Sequence, residues 1–505
     1  MRAPILALLA ALAILTAGCA RNPVSGRPEL TLVSAEKEKQ IGQEEAKKVE
    51  AQMGLVEDAR LTAYLDLLGQ RLAKESPRQD ISYQFHIVDM TEPNAFALPG
   101  GYVYVTRGLL ALVNTEDELA GVVGHEIGHV AAKHTVQKIS KQGPVAAVFG
   151  IVEGVTGWIP IVGNIVGGIS DLTQSLLFAP YDRSQETQAD QIGQDMAAKA
   201  GWDPAGLPAF LTTLGREVDL TTKGGNKPSF FDSHPATPDR VAKTTEHAKA
   251  LKRADRPPIT ATHEEFLARL DGLVVGQEAA HGVITGRMFV HPDLGIFIQF
   301  PEKWELDNTP SKVIAVAPDK QAAVVLGAVA EGDDPMAGAR ALDKATKSSV
   351  SGHTQRTTIN GLPAAHTQLE AEGKVGLDLT WIAYGGVIYQ VVGLAPKKQF
   401  ATVLPAFTAT ASSFRPLTAA ERAGVKQNRI RLVKARAGET IDALASRTHS
   451  AWSKEEIAVA NGLALGTPLA EGQVIKVTIA EPYQPKQGRR SRQQAAERPP
   501  RRYNL

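Results

Sequence analysis

The apolar residues between positions 119 and 130 recur at helical spacing. Residues three or four apart share one face of an α-helix, and the stripe consists of Leu119, Val122, Val123, Ile127 and Val130. Thr115 and Glu118 precede the stripe as a capping box, in which the threonine caps the first turn and the glutamate bonds back to it. The pattern predicts a helix that begins just after Thr115.

From about residue 286 the hydrophobic pattern becomes strand-like. Short apolar runs are separated by turn residues, and Gly385-Gly386 indicates a hairpin between the last two. The expected strands cover 295–300, 313–316, 323–329, 377–382 and 387–392, and a closing helix is expected at 400–414. This predicts an α+β domain with an antiparallel sheet. It contains no catalytic constellation, and we expect it to dock or bind client proteins.

A third pattern covers residues 429–480, where two strand-like ends flank two short helical stretches. This segment resembles a LysM module, a small βααβ fold, and the resemblance implies binding of glycans such as peptidoglycan. Gly438-Glu439-Thr440 stands where such modules usually have Gly-Asp-Thr. Glycan binding and a purely structural packing role are both compatible with this departure.

The pentapeptide His125-Glu126-Ile127-Gly128-His129 lies well inside the first predicted helix. Its two histidines are four residues apart and project from one face, which suits two imidazole ligands on a tetrahedral Zn²⁺. Glu126 is then placed to take a proton from water at the metal rather than to bind the metal. The alternative is a helix with two structural histidines and a surface glutamate.

The third metal ligand distinguishes the classes of zinc peptidase. Ala132 and Thr135 stand where a three-histidine site needs glycine and histidine. His134 misses that position by one residue and is expected to be a solvated side chain. Glu186 and Asp190, four apart on a later helix, supply the alternative. Glu186 completes a His₂Glu set, and Asp190 accepts a hydrogen bond from a ligand histidine; an ordinary exposed acidic face would show the same spacing.

These residues resemble metallopeptidase family M48. Three further segments carry the resemblance, which extends over roughly residues 30–255: they are 94–106, 181–184 and 233–240. The resemblance implies a mainly α-helical gluzincin domain with a small β-hairpin or sheet, one Zn²⁺ per chain, and endopeptidase activity.

The resemblance also implies roles for two residues after the third ligand. His234 matches a histidine that can approach the zinc as an extra, inhibitory ligand, although a surface loop position is the alternative. Arg240 is a candidate catalytic residue as the partner of a developing oxyanion, or else the partner of a structural carboxylate.

The first residues predict export and a lipid anchor. The apolar run 5–15 is too short to span a membrane and is typical of a signal peptide. The Ala17-Gly18-Cys19 sequence resembles a bacterial lipobox. Cys19 is the one cysteine of the chain, which excludes an intrachain disulfide and fits lipidation, with anchoring expected at the outer membrane of a Gram-negative bacterium.

Composition and charge narrow the partners. A net charge of +1 indicates no nucleic-acid partner.

Residues 145–178 are apolar but interrupted by glycines, which favours either a lid over the active site or a membrane-facing hairpin, with plain core as the third possibility.

The resulting domain organisation is a multidomain chain. Its parts are a signal peptide (1–18), a zinc protease domain (19–260), a linking helix (261–285), an α+β domain (286–417), a LysM-like module (429–480) and a basic tail (481–505).

The expected function is a zinc endopeptidase that degrades misfolded or misassembled envelope proteins. One alternative is a periplasmic chaperone or assembly factor with a latent protease. The other is a zinc hydrolase that the LysM-like module directs to peptidoglycan.

Overall fold

The computed structural model describes residues 19–21, 24, 26, 28–30, 33–146, 180–221, 234, 238–371 and 373–484. The expected signal peptide (1–18), nearly all of the apolar segment 145–178 and all but the first residues of the basic tail lie outside the described residues. Among the helices of the described ranges, none combines the length and apolar character that a membrane crossing requires.

The elements are numbered in chain order. The α-helices are α1 (Ala35–Met53), α2 (Ala59–Ala73), α3 (Arg107–Leu112), α4 (Glu116–Ala131), α5 (His134–Ala146), α6 (Arg183–Ala200), α7 (Gly206–Thr221), α8 (Pro238–Ala250), α9 (His263–Leu270), α10 (Met336–Thr346), α11 (Val350–His353), α12 (Lys397–Ser412), α13 (Ala419–Gly424), α14 (Ile441–Thr448) and α15 (Lys454–Ala460). Short 3₁₀ turns occur at Pro99–Gly101 and Ala279–His281.

The strands are β1 (Cys19–Arg21), β2 (Pro28–Leu30), β3 (Gln84–Val88), β4 (Ala95–Leu98), β5 (Tyr102–Thr106), β6 (Val274–Val275), β7 (Val283–Thr285), β8 (Met288–His291), β9 (Ile296–Gln299), β10 (Glu305–Asn308), β11 (Lys312–Val316), β12 (Ala323–Glu331), β13 (Gln355–Ile359), β14 (Leu362–Ala371), β15 (Val375–Tyr384), β16 (Val387–Pro396), β17 (Arg415–Pro416), β18 (Lys426–Lys434) and β19 (Val474–Pro482). The described residues divide into two compact units: one contains those up to 276 together with 428–480, and the other contains those from 277 to 427 together with 481–484.

Helix α4 is the centre of the first unit. It begins where the sequence predicts, because the Thr115 side chain accepts a hydrogen bond from the Glu118 backbone N–H at 3.1 Å. Glu118 does not return that bond to Thr115 but accepts one from the Asn114 N–H at 2.7 Å. Every residue of α4 except Asp117 is buried, so the apolar stripe predicted from its spacing is only part of what this helix packs.

Glycines let α4 and α6 approach each other closely. A Cβ on Gly193 of α6 would lie 2.6 Å from the backbone nitrogen of His125, and one on Gly128 of α4 would lie 2.8 Å from the carbonyl oxygen of Ala189. Both distances are shorter than packed carbon atoms tolerate. The small residues therefore fix the separation of the two helices.

A three-stranded sheet flanks α4. Strand β5 lies in the middle, with β3 parallel to it on one side and β4 antiparallel on the other. Gly100 and Gly101 join β4 to β5 with φ of 78° and 99°, values that suit glycine. This is the small hairpin and sheet that the sequence predicts.

The βααβ segment of β18, α14, α15 and β19 belongs to the same compact unit as helix α4. Strand β18 pairs with β6 through Arg429 and Val274, and Ile430 and Val459 are buried in the core cluster that contains α4. Helix α9, expected as a link between domains, is buried in that cluster through Phe266 and its neighbours. The order of elements is the one predicted.

The second unit is an α+β domain. A seven-stranded antiparallel sheet has the order β10-β11-β12-β16-β15-β14-β13, and a four-stranded sheet has the order β17-β9-β8-β7. Five of these strands and helix α12 coincide with predicted elements. The other six strands, β7, β8, β10, β13, β14 and β17, have no counterpart among the predicted elements. In β13 the reason is that residues Gln355–Ile359 are nearly all exposed.

Candidate metal centre

Four side chains of the first unit bring one potential ligand atom each to a common point. Helix α4 contributes His125 and His129, α6 contributes Glu186, and His234 comes from the segment before α8. His125 Nε2 lies 3.0 Å from His129 Nε2 and 3.1 Å from His234 Nδ1. Glu186 Oε1 lies 3.3 Å from His129 Nε2 and 2.9 Å from His234 Nδ1.

These four atoms fit a tetrahedral metal ion. Ligands about 2.0–2.1 Å from a tetrahedral zinc are themselves about 3.3–3.4 Å apart. The four distances given above, 2.9–3.3 Å, are close to that value, and all four ligand atoms lie within 4.8 Å of one another. All four residues are buried, and three imidazoles with one carboxylate are borderline-soft donors that suit zinc. The donor set therefore fits a divalent metal of this class.

His125 is oriented from its far side by an acidic residue. Its Nδ1 lies 2.9 Å from Asp190 Oδ1, one turn after Glu186 on α6. Arg240 donates to both Asp190 oxygens at 2.8 Å. Burial alone would raise the pKa of Asp190, but Arg240 and His125 lower it overall. The carboxylate therefore stays charged and can accept a hydrogen bond from His125 Nδ1–H, which leaves the lone pair of His125 at Nε2, toward the cluster.

His129 is oriented by a second histidine. His134 is 1% exposed, and its Nδ1 lies 3.0 Å from His129 Nδ1 while its Nε2 lies 2.9 Å from Gln188 Oε1. Burial lowers the pKa of His134 to about 4. The expectation of a solvated His134 is wrong, because Lys133 adopts a left-handed φ of 59° and turns the chain back over the end of α4.

Tyr181 closes the same side of the cluster. Its ring stacks on His129 with centroids 4.0 Å apart and planes 27° apart. Its hydroxyl is 2.9 Å from the Thr135 hydroxyl, and the Lys138 ammonium lies 4.8 Å from the ring centroid. Sequence reasoning assigned Tyr181 no role, although it begins one of the segments on which the family resemblance rests.

Glu126 is buried beside the cluster without a hydrogen-bond partner. Both carboxylate oxygens lack one among the described residues, and the ring nitrogen nearest to it, His234 Nε2, is 3.7 Å away. Burial raises the pKa of Glu126 to about 7, with Glu186 adding to the shift and His125 opposing it. An unpaired buried carboxylate with a pKa near neutrality suits a group that takes up and releases a proton.

Arg240 is engaged by the two acidic residues of α6. It lies 2.7 Å from Glu186 Oε2 in addition to its two bonds with Asp190, and it donates to the His234 carbonyl at 3.2 Å. This arrangement favours the structural-carboxylate role over the oxyanion role, which stays a prediction.

The electrostatics of Glu186 match those of a metal ligand. Burial alone raises its pKa, but His234, His129 and His125 together lower it well below the usual value. The pKa of His129 is likewise well below its usual value, chiefly because of burial. An ionised Glu186 and a neutral His129 are the protonation states in which these groups bind metals.

Comparisons with known proteins point to one family. Residues 59–248 match the sequence profile of peptidase family M48. The beta-barrel assembly-enhancing protease of Yersinia pestis is 27% identical over 247 residues, covering 46% of this chain and 48% of that protein. The protein of the same name from Escherichia coli K12 is 26% identical over 48% of this chain and 50% of its own length.

A eukaryotic relative also matches this chain. The mitochondrial metalloendopeptidase OMA1 of Schizosaccharomyces pombe is 29% identical over 229 residues, covering 44% of this chain and 65% of that protein. The chain thus spans about half the length of the bacterial relatives it matches.

Proposed function

We propose, from the membership of residues 59–248 in peptidase family M48, that this protein is a zinc-dependent endopeptidase of the bacterial cell envelope. One observation carries the proposal: a buried cluster of His125, His129 and Glu186 lies beside a buried carboxylate, Glu126, whose oxygens have no hydrogen-bond partner among the described residues. This is the donor set and the proton acceptor that hydrolysis of a peptide bond needs.

Each residue of the site has a separate role. His125, His129 and Glu186 hold one zinc ion, which when bound supplies a Lewis acid that polarises a peptide carbonyl and lowers the pKa of water. Glu126 takes a proton from the attacking water at its carboxylate and passes it to the nitrogen of the leaving amine. Asp190 and Arg240 keep His125 in the tautomer that leaves Nε2 available.

Substitution of Glu126 tests this assignment. In the full-length chain, Glu126→Gln should retain about one zinc per chain by elemental analysis while casein cleavage falls by at least about 100-fold, the scale of a lost general base. A chelator should abolish wild-type cleavage, and added zinc should restore it. Glu246→Gln is the matched control, because Glu246 is an exposed residue of α8 that pairs with Lys249. Undiminished cleavage by Glu126→Gln would contradict the role of Glu126.

The proposed substrates are misfolded or misassembled envelope proteins. The support is the name of the bacterial relatives, which describes a protease that enhances β-barrel assembly. Capture by Glu126→Gln in cells, followed by identification of the trapped chains, tests this class; a trapped set without envelope proteins would contradict it.

A latent protease that acts mainly as a chaperone is the second candidate. The observation that favours it is His234, whose Nδ1 lies 2.9 Å from Glu186 Oε1 and 3.1 Å from His125 Nε2. A fourth protein ligand occupies the coordination position that catalytic zinc sites leave to water or substrate. Absence of casein cleavage by the zinc-loaded wild type would favour this candidate.

Localisation and glycan binding are proposed from the sequence. Lipidation of Cys19 would tether the chain to the membrane, and Cys19→Ala should then shift it from the membrane fraction to the soluble periplasm. Residues 429–480 would bind peptidoglycan if their LysM resemblance reflects function; co-sedimentation with purified murein tests this, and digestion of the murein would support the cell-wall hydrolase instead.

A further inference from the structure

His134 and Gln188 form a hydrogen-bonded chain that ends on a metal histidine. His129 Nδ1 is 3.0 Å from His134 Nδ1, and His134 Nε2 is 2.9 Å from Gln188 Oε1. We propose that His134 is a positioning residue: it holds His129 in the tautomer protonated at Nδ1, and Gln188 in turn holds His134. This proposal rests on the proposed metal site and adds a residue that the catalytic assignment does not contain.

The tautomers of the two histidines follow from Gln188, the last member of the hydrogen-bonded series. An amide oxygen can only accept, so His134 Nε2 carries the proton that bonds Gln188. In a neutral imidazole the other nitrogen is then a bare acceptor. His134 Nδ1 therefore accepts from His129 Nδ1–H, and the lone pair of His129 remains at Nε2, the atom that faces His125 and Glu186.

The same series of hydrogen bonds connects the two helices that carry metal-ligand candidates. Gln188 lies on α6 two residues after Glu186, whereas His129 lies on α4. Asp190 makes the corresponding connection to His125. Each metal histidine of α4 is thus oriented by a residue of α6, directly for His125 and through His134 for His129. Outer partners of this kind set the affinity of a site because they fix ring orientation before the metal arrives.

Zinc affinity of the full-length chain, measured by competition with a chromophoric chelator, tests the proposal. His134→Leu removes the acceptor and should weaken zinc binding by about 10–100-fold. His134→Asn can present an amide oxygen near the position of Nδ1 and should recover most of that loss. Ser140→Ala is the matched control: it removes a buried hydrogen bond to the Val136 carbonyl on the same helix as His134, and should leave affinity within about threefold.

Two results would overturn the proposal. The first is wild-type zinc affinity in a folded His134→Leu chain; the second is an equal loss in Ser140→Ala. If His134→Leu does not fold, histidine-ring ¹⁵N–¹H correlation spectra of the zinc-loaded wild type decide the matter. His129 should be protonated at Nδ1 and His134 at Nε2, and a proton on His129 Nε2 contradicts the proposal. A wild-type chain that binds no zinc contradicts the proposed function itself, whereas tight zinc binding by His134→Leu contradicts only the positioning role.

Discussion

Glu126 differs from the other buried acidic residues of its domain. Glu38 is paired with Arg78 through bonds of 2.7 and 2.9 Å, and Glu116 accepts from Tyr64 and Trp202. Burying a charge costs free energy unless hydrogen bonds or opposite charges compensate. Glu38 and Glu116 therefore serve the fold, whereas the oxygens of Glu126 have no hydrogen-bond partner among the described residues, which makes Glu126 the candidate for a chemical role.

At the same scale, His234 predicts a gain of activity on substitution. His234→Ala should raise casein cleavage per bound zinc, because it frees a coordination position while His125, His129 and Glu186 remain as ligands. Zinc content should stay near one per chain. The measurement is the cleavage rate normalised to zinc in the purified full-length chain.

His247→Ala is the matched control for this substitution. His247 lies on α8, pairs with Asp195 at 3.1 Å and is not part of the cluster, so its loss should leave the rate unchanged. Cleavage that stays constant or falls in His234→Ala contradicts inhibition, and a fall would indicate that His234 assists the reaction.

The sequence predicts single residues well where their chemistry has a fixed spacing. His125 and His129 share a helical face, and Glu186 and Asp190 share another, so spacing alone places each pair. His134 could not be placed this way, since its position depends on the left-handed backbone of Lys133, which no side-chain pattern encodes.

At the scale of elements, the site depends on how closely α4 and α6 pack. Gly193→Ala would place a Cβ 2.6 Å from the backbone nitrogen of His125, and backbone cannot move aside as a flexible side chain can. The helices must separate, which costs about 1–3 kcal/mol and displaces Glu186 from the two histidines. We expect zinc affinity to fall at least about tenfold, since metal sites tolerate displacements of only about 0.5 Å.

Gly215→Ala on α7 provides the comparison. A Cβ there meets nothing within 4 Å, so the substitution should leave zinc affinity unchanged and raise stability by up to about 1 kcal/mol. Chelator competition and thermal unfolding measure both quantities. Equal zinc affinity in the two variants would show that the helix separation does not set the site.

Several of the elements that the sequence identified have a signal that lies in burial. The apolar stripe and the capping threonine locate α4, and the buried strands β15 and β16 follow from their continuous apolar runs. Strand β13 was missed because an exposed edge strand has no hydrophobic alternation to detect. The strand forms because it pairs with β14, and the local sequence pattern does not encode this pairing.

At the scale of the whole chain, the βααβ segment is part of the compact unit that contains α4 and α6, rather than a separate module. Lys476 of β19 is fully buried. It donates to the carbonyls of Ala111 and Val113 at 2.9 and 2.7 Å, at the end of α3 and just before α4. The sequence could not show this, because Ile430 and Val459 look like the core of a small module while they also belong to the larger core.

This buried lysine predicts a pH dependence of stability. Burial lowers the pKa of Lys476 from 10.5 to about 7, although Glu118 opposes the shift. Between about pH 7 and 10 the unfolded chain therefore holds a proton that the folded chain has lost. Stability rises with pH wherever the unfolded state binds more protons, here by at most about 1.4 kcal/mol per pH unit.

Lys476→Met removes this titration while keeping an unbranched side chain of similar length. The free energy of unfolding from denaturant titrations at pH 7, 8, 9 and 10 should rise more steeply for the wild type than for Lys476→Met. Lys454→Met is the control, because Lys454 is half-exposed and its loss should leave the wild-type slope intact. Parallel pH profiles of the wild type and Lys476→Met would contradict the buried position of the ammonium. A steeper wild-type profile would instead mean that β19 stays packed until the compact unit that contains α4 unfolds. Release of β19 alone would expose Lys476 to water and abolish the shift of its pKa.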